Sequence, residues 1–313
     1  MPQVRLLVAL FLACSLRAAQ WIDTLSAHFD IKRQTAFSAG ASTIDLERLH
    51  NRLRLDLASF SPWMAKERVT LYLYPDADSY AKGEFHPPAW SNGIAFYDRR
   101  IIAVYAHRSP EALDKIIAHE LTHLLFESYW AEANKMPPSW LNEGLAMMEE
   151  TERLDEESKS EWYQGMAAYG PNRMVSLPVL TKIDPNAQLQ SKEAASYWYV
   201  AAYSVVYFLH RRHSKLQFQN LCKDLRDGRE LEDALWRNYR YSSLARFEAA
   251  WKAWLGEISA RNLGRRTRVR SRQTTSEEKA RSEAGESGEA ESKGKLKTTD
   301  FRSMSFHNFR GDR

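Results

Sequence analysis

The stretch Ile116-Ile117-Ala118-His119-Glu120-Leu121-Thr122-His123-Leu124-Leu125 decides how this chain is read. It is an apolar, helix-compatible run with two histidines four positions apart. On a helix, positions i and i+4 lie on one face, so His119 and His123 point the same way, one turn apart. Two imidazoles so placed reach a single zinc ion at roughly 2.0–2.1 Å. Glu120 is offset by about 100° around the helix. Its carboxylate therefore points beside such an ion rather than at it, where a general base for an activated water has to stand.

Upstream, Ser109-Pro110-Glu111 reads as a helix start: Ser109 as the N-cap, Pro110 in the first helical position, and Glu111 at the favourable end of the dipole. The helix is expected to run to about Tyr129, with residues 130–137 linking it to a second helix. Zinc with an open position for water takes three protein ligands. Downstream stands Ser139-Trp140-Leu141-Asn142-Glu143-Gly144-Leu145-Ala146. Glu143 comes 20 residues after His123, a spacing that suits a second helix packed across the first. Pro137 and Pro138 fit just before a helix start.

These residues resemble a known clan. Ala118-His119-Glu120-Leu121-Thr122-His123 is similar to the thermolysin-like active-site helix, and Asn142-Glu143 to the Asn-Glu pair that carries the glutamate ligand of the gluzincins. The wording Trp140-Leu141-Asn142-Glu143-Gly144-Leu145-Ala146 is more similar to a sparsely characterised group of bacterial exported peptidase-like proteins. The resemblance implies zinc held by His119, His123 and Glu143, Glu120 as base, and a peptide or protein substrate. The chain departs from the pattern at Met147, where thermolysin-like enzymes have an Asp that orients the first histidine. Another group must then bond the His119 ring. Glu150, one turn further along the helix, is one candidate and a backbone carbonyl is the other.

On the N-terminal side, His28 to Lys32 alternates like a strand, and Val69 to Tyr74 does so cleanly. Between them Leu46, Leu49, Leu53, Leu57 and Phe60 form the apolar stripe of a helix over Ser42 to Phe60. Gly93 to Tyr97 and Ile101 to Tyr105 flank Asp98-Arg99-Arg100 as a hairpin would. Ala95-Phe96-Tyr97 resembles the gluzincin strand that pairs with an extended substrate. It is equally readable as an ordinary strand of the sheet. His28, His50 and His86 have no ligand spacing and read as surface or core histidines.

On the C-terminal side, residues 151–190 read as loops with short helices. Glu193 to Arg212 is apolar almost all round, so a buried helix is expected. It carries Tyr197, Tyr199, Tyr203 and Tyr207. The resemblance implies that a Tyr or His of this lobe bonds the oxyanion, with Tyr199 the first choice, then Tyr203 and Tyr197; buried aromatics at helical spacing also read simply as core. His210 and His213 are expected to cap the helix end. Phe247, Trp251 and Trp254 read as a core stripe, and Cys222 as a small buried hydrophobe.

The ends are compositionally distinct. Met1 to Ala19 has a positive Arg5, nine apolar residues from Leu6 to Cys14 and small residues at Ala18-Ala19, the build of a secretory signal peptide. A second reading takes Phe11-Leu12-Ala13-Cys14 as a lipobox, with Cys14 carrying a lipid anchor. The apolar run is too short to span a bilayer. Export with at most one remaining cysteine, hence no internal disulfide, fits a bacterial periplasmic or extracellular protein. Residues 264–313 hold 13 Lys/Arg and 8 Asp/Glu, a net +5, against +4 for the whole chain. The remainder is close to neutral, which gives no nucleic-acid signature. The charged, Ser- and Gly-rich tail predicts disorder.

The expected architecture is α+β and gluzincin-like: a signal peptide over 1–19, a small mixed α/β N-terminal lobe over 20–108, a mainly helical lobe over 109–263 carrying the zinc site, and the tail over 264–313. The active-site helix lies between the lobes. The expected function is a zinc-dependent peptidase of the bacterial cell envelope or exterior. The alternative is a zinc-binding envelope scaffold or chaperone-like protein without turnover, which Met147 favours and Glu120 disfavours.

Overall fold

The computed structural model describes residues 21–34, 41–88, 91–107, 109–151, 158–185 and 191–283. The signal-peptide and lipobox readings at residues 1–19 fall outside them.

The N-terminal part is a five-stranded sheet built from β1 (Ile22–Leu25), β2 (Phe29–Arg33), β3 (Val69–Tyr74), β4 (Gly93–Phe96) and β5 (Ile101–Tyr105), in the order β1-β2-β3-β5-β4. The central strands β2, β3 and β5 are parallel; β1 and β4 run antiparallel at the two edges. Parallel strands need a crossover, and α1 (Thr43–Leu57) supplies the one between β2 and β3. Ser42 caps it through the Asp45 N–H, and Leu46, Leu49, Leu53 and Leu57 are buried as the stripe requires. The period-two alternation of β3 sorts its side chains between two faces. Leu71 and Leu73 join the main core under the helices, while Tyr72 and Tyr74 join an aromatic layer with Trp21, Tyr80, Phe85 and Tyr105 on the other side. A short helix, α2 (Ala77–Ala81), comes after β3 and contributes Tyr80. β4 and β5 form the expected hairpin, with Ala95 opposite Ile102.

The long helix α3 (Pro110–Ala131) starts on the Ser109 cap, with Pro110 in its first turn, and is buried on nearly every side from Leu113 to Trp130. That burial explains its uniformly apolar sequence: it lies between the sheet and the helical part. α4 (Ser139–Glu149) begins directly after Pro138. Residues 158–185 are more helical than the polar sequence suggests, with α5 (Glu161–Arg173) and α6 (Leu177–Lys182). α7 (Lys192–Tyr207) is the expected buried helix and ends in a π-helical turn, Phe208–Arg212. α8 (Lys215–Arg226), α9 (Leu231–Tyr239) and α10 (Leu244–Glu283) complete the fold. Phe247, Trp251 and Trp254 are buried, as is Cys222. The architecture is therefore the mixed α/β arrangement expected, a small sheet with a mostly helical remainder.

Two expectations need correcting. α10 continues past Gly264 to Glu283, about twenty residues into the stretch whose composition predicted disorder. The packed turns before Gly264 have already nucleated the helix, and residues 265–283 contain neither Gly nor Pro, so nothing in that stretch interrupts propagation. Residues 284–313 lie outside the described set. His213 holds the C-cap position of the turn Phe208–Arg212, as expected, but His210 does not act as a cap. His210 is buried 4.0 Å from Asp56, and His213 Nε2 meets the Tyr241 hydroxyl at 3.3 Å.

Candidate metal centre

α3 brings His119 and His123 to one face, and α4 crosses that face with Glu143. On its other side α4 lies tight against α7 because residue 144 is glycine: a Cβ there would stand 2.5 Å from the Ala202 carbonyl oxygen and from Val206 Cγ2, so α4 is wedged between α3 and α7. A second tie sits beside the ligand-type residues. Asn142, next to Glu143, donates to Glu127 Oε1 at 2.9 Å, one turn after His123.

The three inward atoms form a near-regular triangle. His119 Nε2 and His123 Nε2 are 3.0 Å apart, and Glu143 Oε2 is 3.6 Å from the first and 3.7 Å from the second. Donors about 2.1 Å from one tetrahedral ion are separated by about 3.4 Å. The three residues are no more than 4% exposed. Glu143 Oε2 accepts no hydrogen bond although it is buried, a costly state for a carboxylate oxygen that a cation at the triangle's centre would relieve. The charges say the same. Burial alone would push the His119 imidazole down, but Glu143 and Glu150 outweigh it and lift it to about 10. Burial would raise Glu143, yet His123 and His119 hold it far below the usual carboxylate range. The residues thus fit a zinc-class ion with a His₂Glu donor set.

Met147 is buried and contributes no polar group. Glu150 occupies the orienting place instead: its Oε1 lies 2.8 Å from His119 Nδ1, and its Oε2 accepts from the Trp162 indole N–H at 2.7 Å. Of the two partners the sequence left open for His119, the carboxylate is the one present. Trp162, on α5, had no signal in the sequence.

Glu120 is 1% exposed and faces the sheet. A Cβ added at Gly93 would come within 2.7 Å of Glu120 Cγ and 3.0 Å of its Oε1, so the first residue of β4 lies directly against this side chain. The Ser91 hydroxyl donates to the Gly93 carbonyl and also meets Tyr80 Oη at 3.2 Å. Burial raises the Tyr80 hydroxyl well above its ordinary range, the Ser91 bond works against this, and the nearby Glu120 charge adds to it.

The chain matches the Peptidase MA superfamily over residues 55–257, which includes α3, α4 and α7. It belongs to that superfamily. No curated protein matches it. Membership makes the chain a peptidase, a hydrolase, in a superfamily whose members are usually metallopeptidases. No helix among the described residues is long and apolar enough to cross a membrane.

The tyrosines separate by position in this Peptidase MA fold. Tyr199, Ala202, Tyr203 and Val206 share the stripe of α7 that meets α4, and Tyr199 and Tyr203 are 3% and 1% exposed. Tyr197 lies off that stripe, packs on Tyr169, and its hydroxyl contacts Glu193 at 3.4 Å. His28 and His50, read from the sequence as unconnected, are brought together with Glu47.

Proposed function

We propose that this chain is a zinc-dependent, thermolysin-like peptidase acting in the bacterial cell envelope or outside the cell. The triangle of His119, His123 and Glu143 carries the reading, because its three separations suit one ion and its buried carboxylate oxygen accepts no hydrogen bond. Zinc bound there would supply Lewis acidity toward a peptide carbonyl and toward water.

The chain's own residues would do the rest. Glu120, beside the ligand face but off it, is the base that takes a proton from the attacking water and passes it to the leaving amine. β4 ends the sheet, antiparallel to β5, with Gly93 against Glu120; an extended substrate adding to that edge would bring its backbone past the base. Tyr199, on the stripe of α7 facing α4, is the proposed donor to the oxyanion, with Tyr203 next. Glu150 and Trp162 are positioning residues that fix the His119 ring. The rival reading, a zinc-holding scaffold without turnover, drew on Met147; Glu150 at 2.8 Å from His119 takes away that ground. Export rests on the build of residues 1–19.

The test is hydrolysis of casein or a quenched peptide library by the full chain, with chelator and after added zinc. Turnover lost to chelator and restored by zinc supports the peptidase; a well-folded, zinc-loaded chain that cleaves nothing favours the scaffold.

A further inference from the structure

Where the turn before β2 meets α1, the fold assembles three residues that sequence spacing does not connect. His28 ends the turn before β2. Glu47 and His50 stand three residues apart on α1 and so share a face. Their ligand-type atoms all lie within 4.8 Å of one another. Glu47 is held in place: Oε1 accepts from the Ser26 hydroxyl at 2.7 Å and from the His28 backbone N–H at 2.8 Å, and Oε2 lies 2.6 Å from His28 Nδ1.

His50 carries the argument. Its Nε2 is 3.0 Å from the Met64 carbonyl oxygen. A carbonyl only accepts, so Nε2 bears the proton and Nδ1 is left with a bare lone pair. That Nδ1 is buried without a hydrogen-bond partner, in a residue 2% exposed. An unpartnered buried acceptor is costly. An imidazole tethered through its far nitrogen to a backbone carbonyl, with its near nitrogen free, is also how a metal-binding histidine is held.

We propose that His28, Glu47 and His50 form a second metal site, a structural one for zinc or a similar borderline divalent ion, which staples the turn at residues 26–28 to α1. Two imidazoles and a carboxylate suit such ions better than calcium or magnesium, which take mainly oxygen ligands. The two rings now lie stacked, with centroids 3.8 Å apart and planes 13° from parallel. Lone pairs lie in the ring planes, so parallel rings do not share an ion. Loading turns His28 out of the stack and exchanges its contact with Glu47 for the metal. The His28 and Glu47 side chains are 22% and 23% exposed, so this turn moves solvent rather than core. His50 stays where Met64 holds it.

The test uses the full chain, stripped by chelator and titrated with Zn²⁺, with metal per chain and melting temperature as readouts. Wild type should bind two equivalents, and His28→Gln and His50→Ala one each. His28 is partly exposed, so its variant does not put folding at stake. In His123→Ala, added Zn²⁺ should still raise the melting temperature, and the rise should vanish in His123→Ala/His28→Gln. One equivalent in wild type that is lost in His123→Ala, or two in both His28→Gln and His50→Ala, overturns the second site. The outcomes also separate the two centres. A His123→Ala chain with no zinc sinks this site alone, whereas one that keeps two equivalents sinks the assignment at His123 alone.

Discussion

Gly93 and Glu120 are in direct contact across the sheet–helix boundary: a Cβ on the glycine would stand 2.7 Å from Glu120 Cγ. No real Cβ sits that close, so a larger residue at 93 must push the carboxylate aside. Gly93→Ala should therefore leave zinc content unchanged while kcat falls, on the scale of the roughly 10²-fold that a misplacement of about 1 Å can cost. Metal analysis beside steady-state kinetics checks this. An unchanged kcat would mean that Glu120 has slack the contact does not suggest.

Glu150 and Trp162 give a prediction about affinity rather than chemistry. The carboxylate of Glu150 bridges His119 Nδ1 and the Trp162 indole, so it sets the ring's orientation and tautomer. Glu150→Gln should weaken zinc binding by about 10–100-fold. Trp162→Phe should act in the same direction but less, since the carboxylate remains. Competition against a chelator of known affinity measures both. Turnover per zinc-loaded chain should change much less than affinity, which separates a positioning role from a role at the reacting atoms.

The legibility of each residue in the sequence depends on how the fold places it. His119, Glu120 and His123 lie within one helical turn, so their geometry is local and readable. Glu143 comes from a second helix, but the Asn142-Glu143 wording and the prolines before it mark that helix. Glu150 was nameable as a candidate because helix periodicity extends from Glu143. Trp162 was not, since α5 reaches the site through tertiary packing alone. The contact of Gly93 with Glu120 had no signal either, because a glycine in a hairpin strand has many ordinary explanations. His28, Glu47 and His50 went unread for the same reason: a strand–helix crossover joins them, and only the i, i+3 pair is local. At residues 264–283 the disorder reading missed a physical point. Composition reports whether a segment can bury a core, not whether a packed helix can propagate through it.

Glu149 yields a prediction about pH and stability. It is buried beside Asp56, Arg52 and Arg211. Burial, and after it the Asp56 charge, raise its carboxyl from 4.5 to about 8 against the opposing pull of the two arginines. The folded state thus keeps a proton that the unfolded chain releases near its ordinary value. Stability from this group is fully present below pH 4.5 and is lost as the pH rises to about 8. Glu149→Gln mimics the protonated form and cannot ionise. Its melting temperature should fall less than wild type's between pH 5 and 8, and at pH 8 it should be the more stable protein, by roughly 2–4 °C per kcal/mol gained. Parallel melting curves across that range would refute the assignment.

The last prediction concerns Glu120 itself. It neighbours a ligand in sequence but is turned about 100° from the ligand face, and its carboxylate is held between α3 and β4 rather than within the triangle. Glu120→Gln preserves size and a hydrogen-bonding oxygen but removes the capacity to take a proton. The triangle loses no donor, so zinc content and melting temperature should match wild type. Peptide hydrolysis should drop by at least the roughly 10²–10⁴-fold typical of losing a general base. Because Gly93→Ala displaces the same carboxylate while leaving it chemically intact, the order of activities should be wild type, then Gly93→Ala, then Glu120→Gln. If Glu120→Gln cleaves peptide at the wild-type rate with full zinc, the proton leaves through some other group, and the proposed role of this residue is wrong.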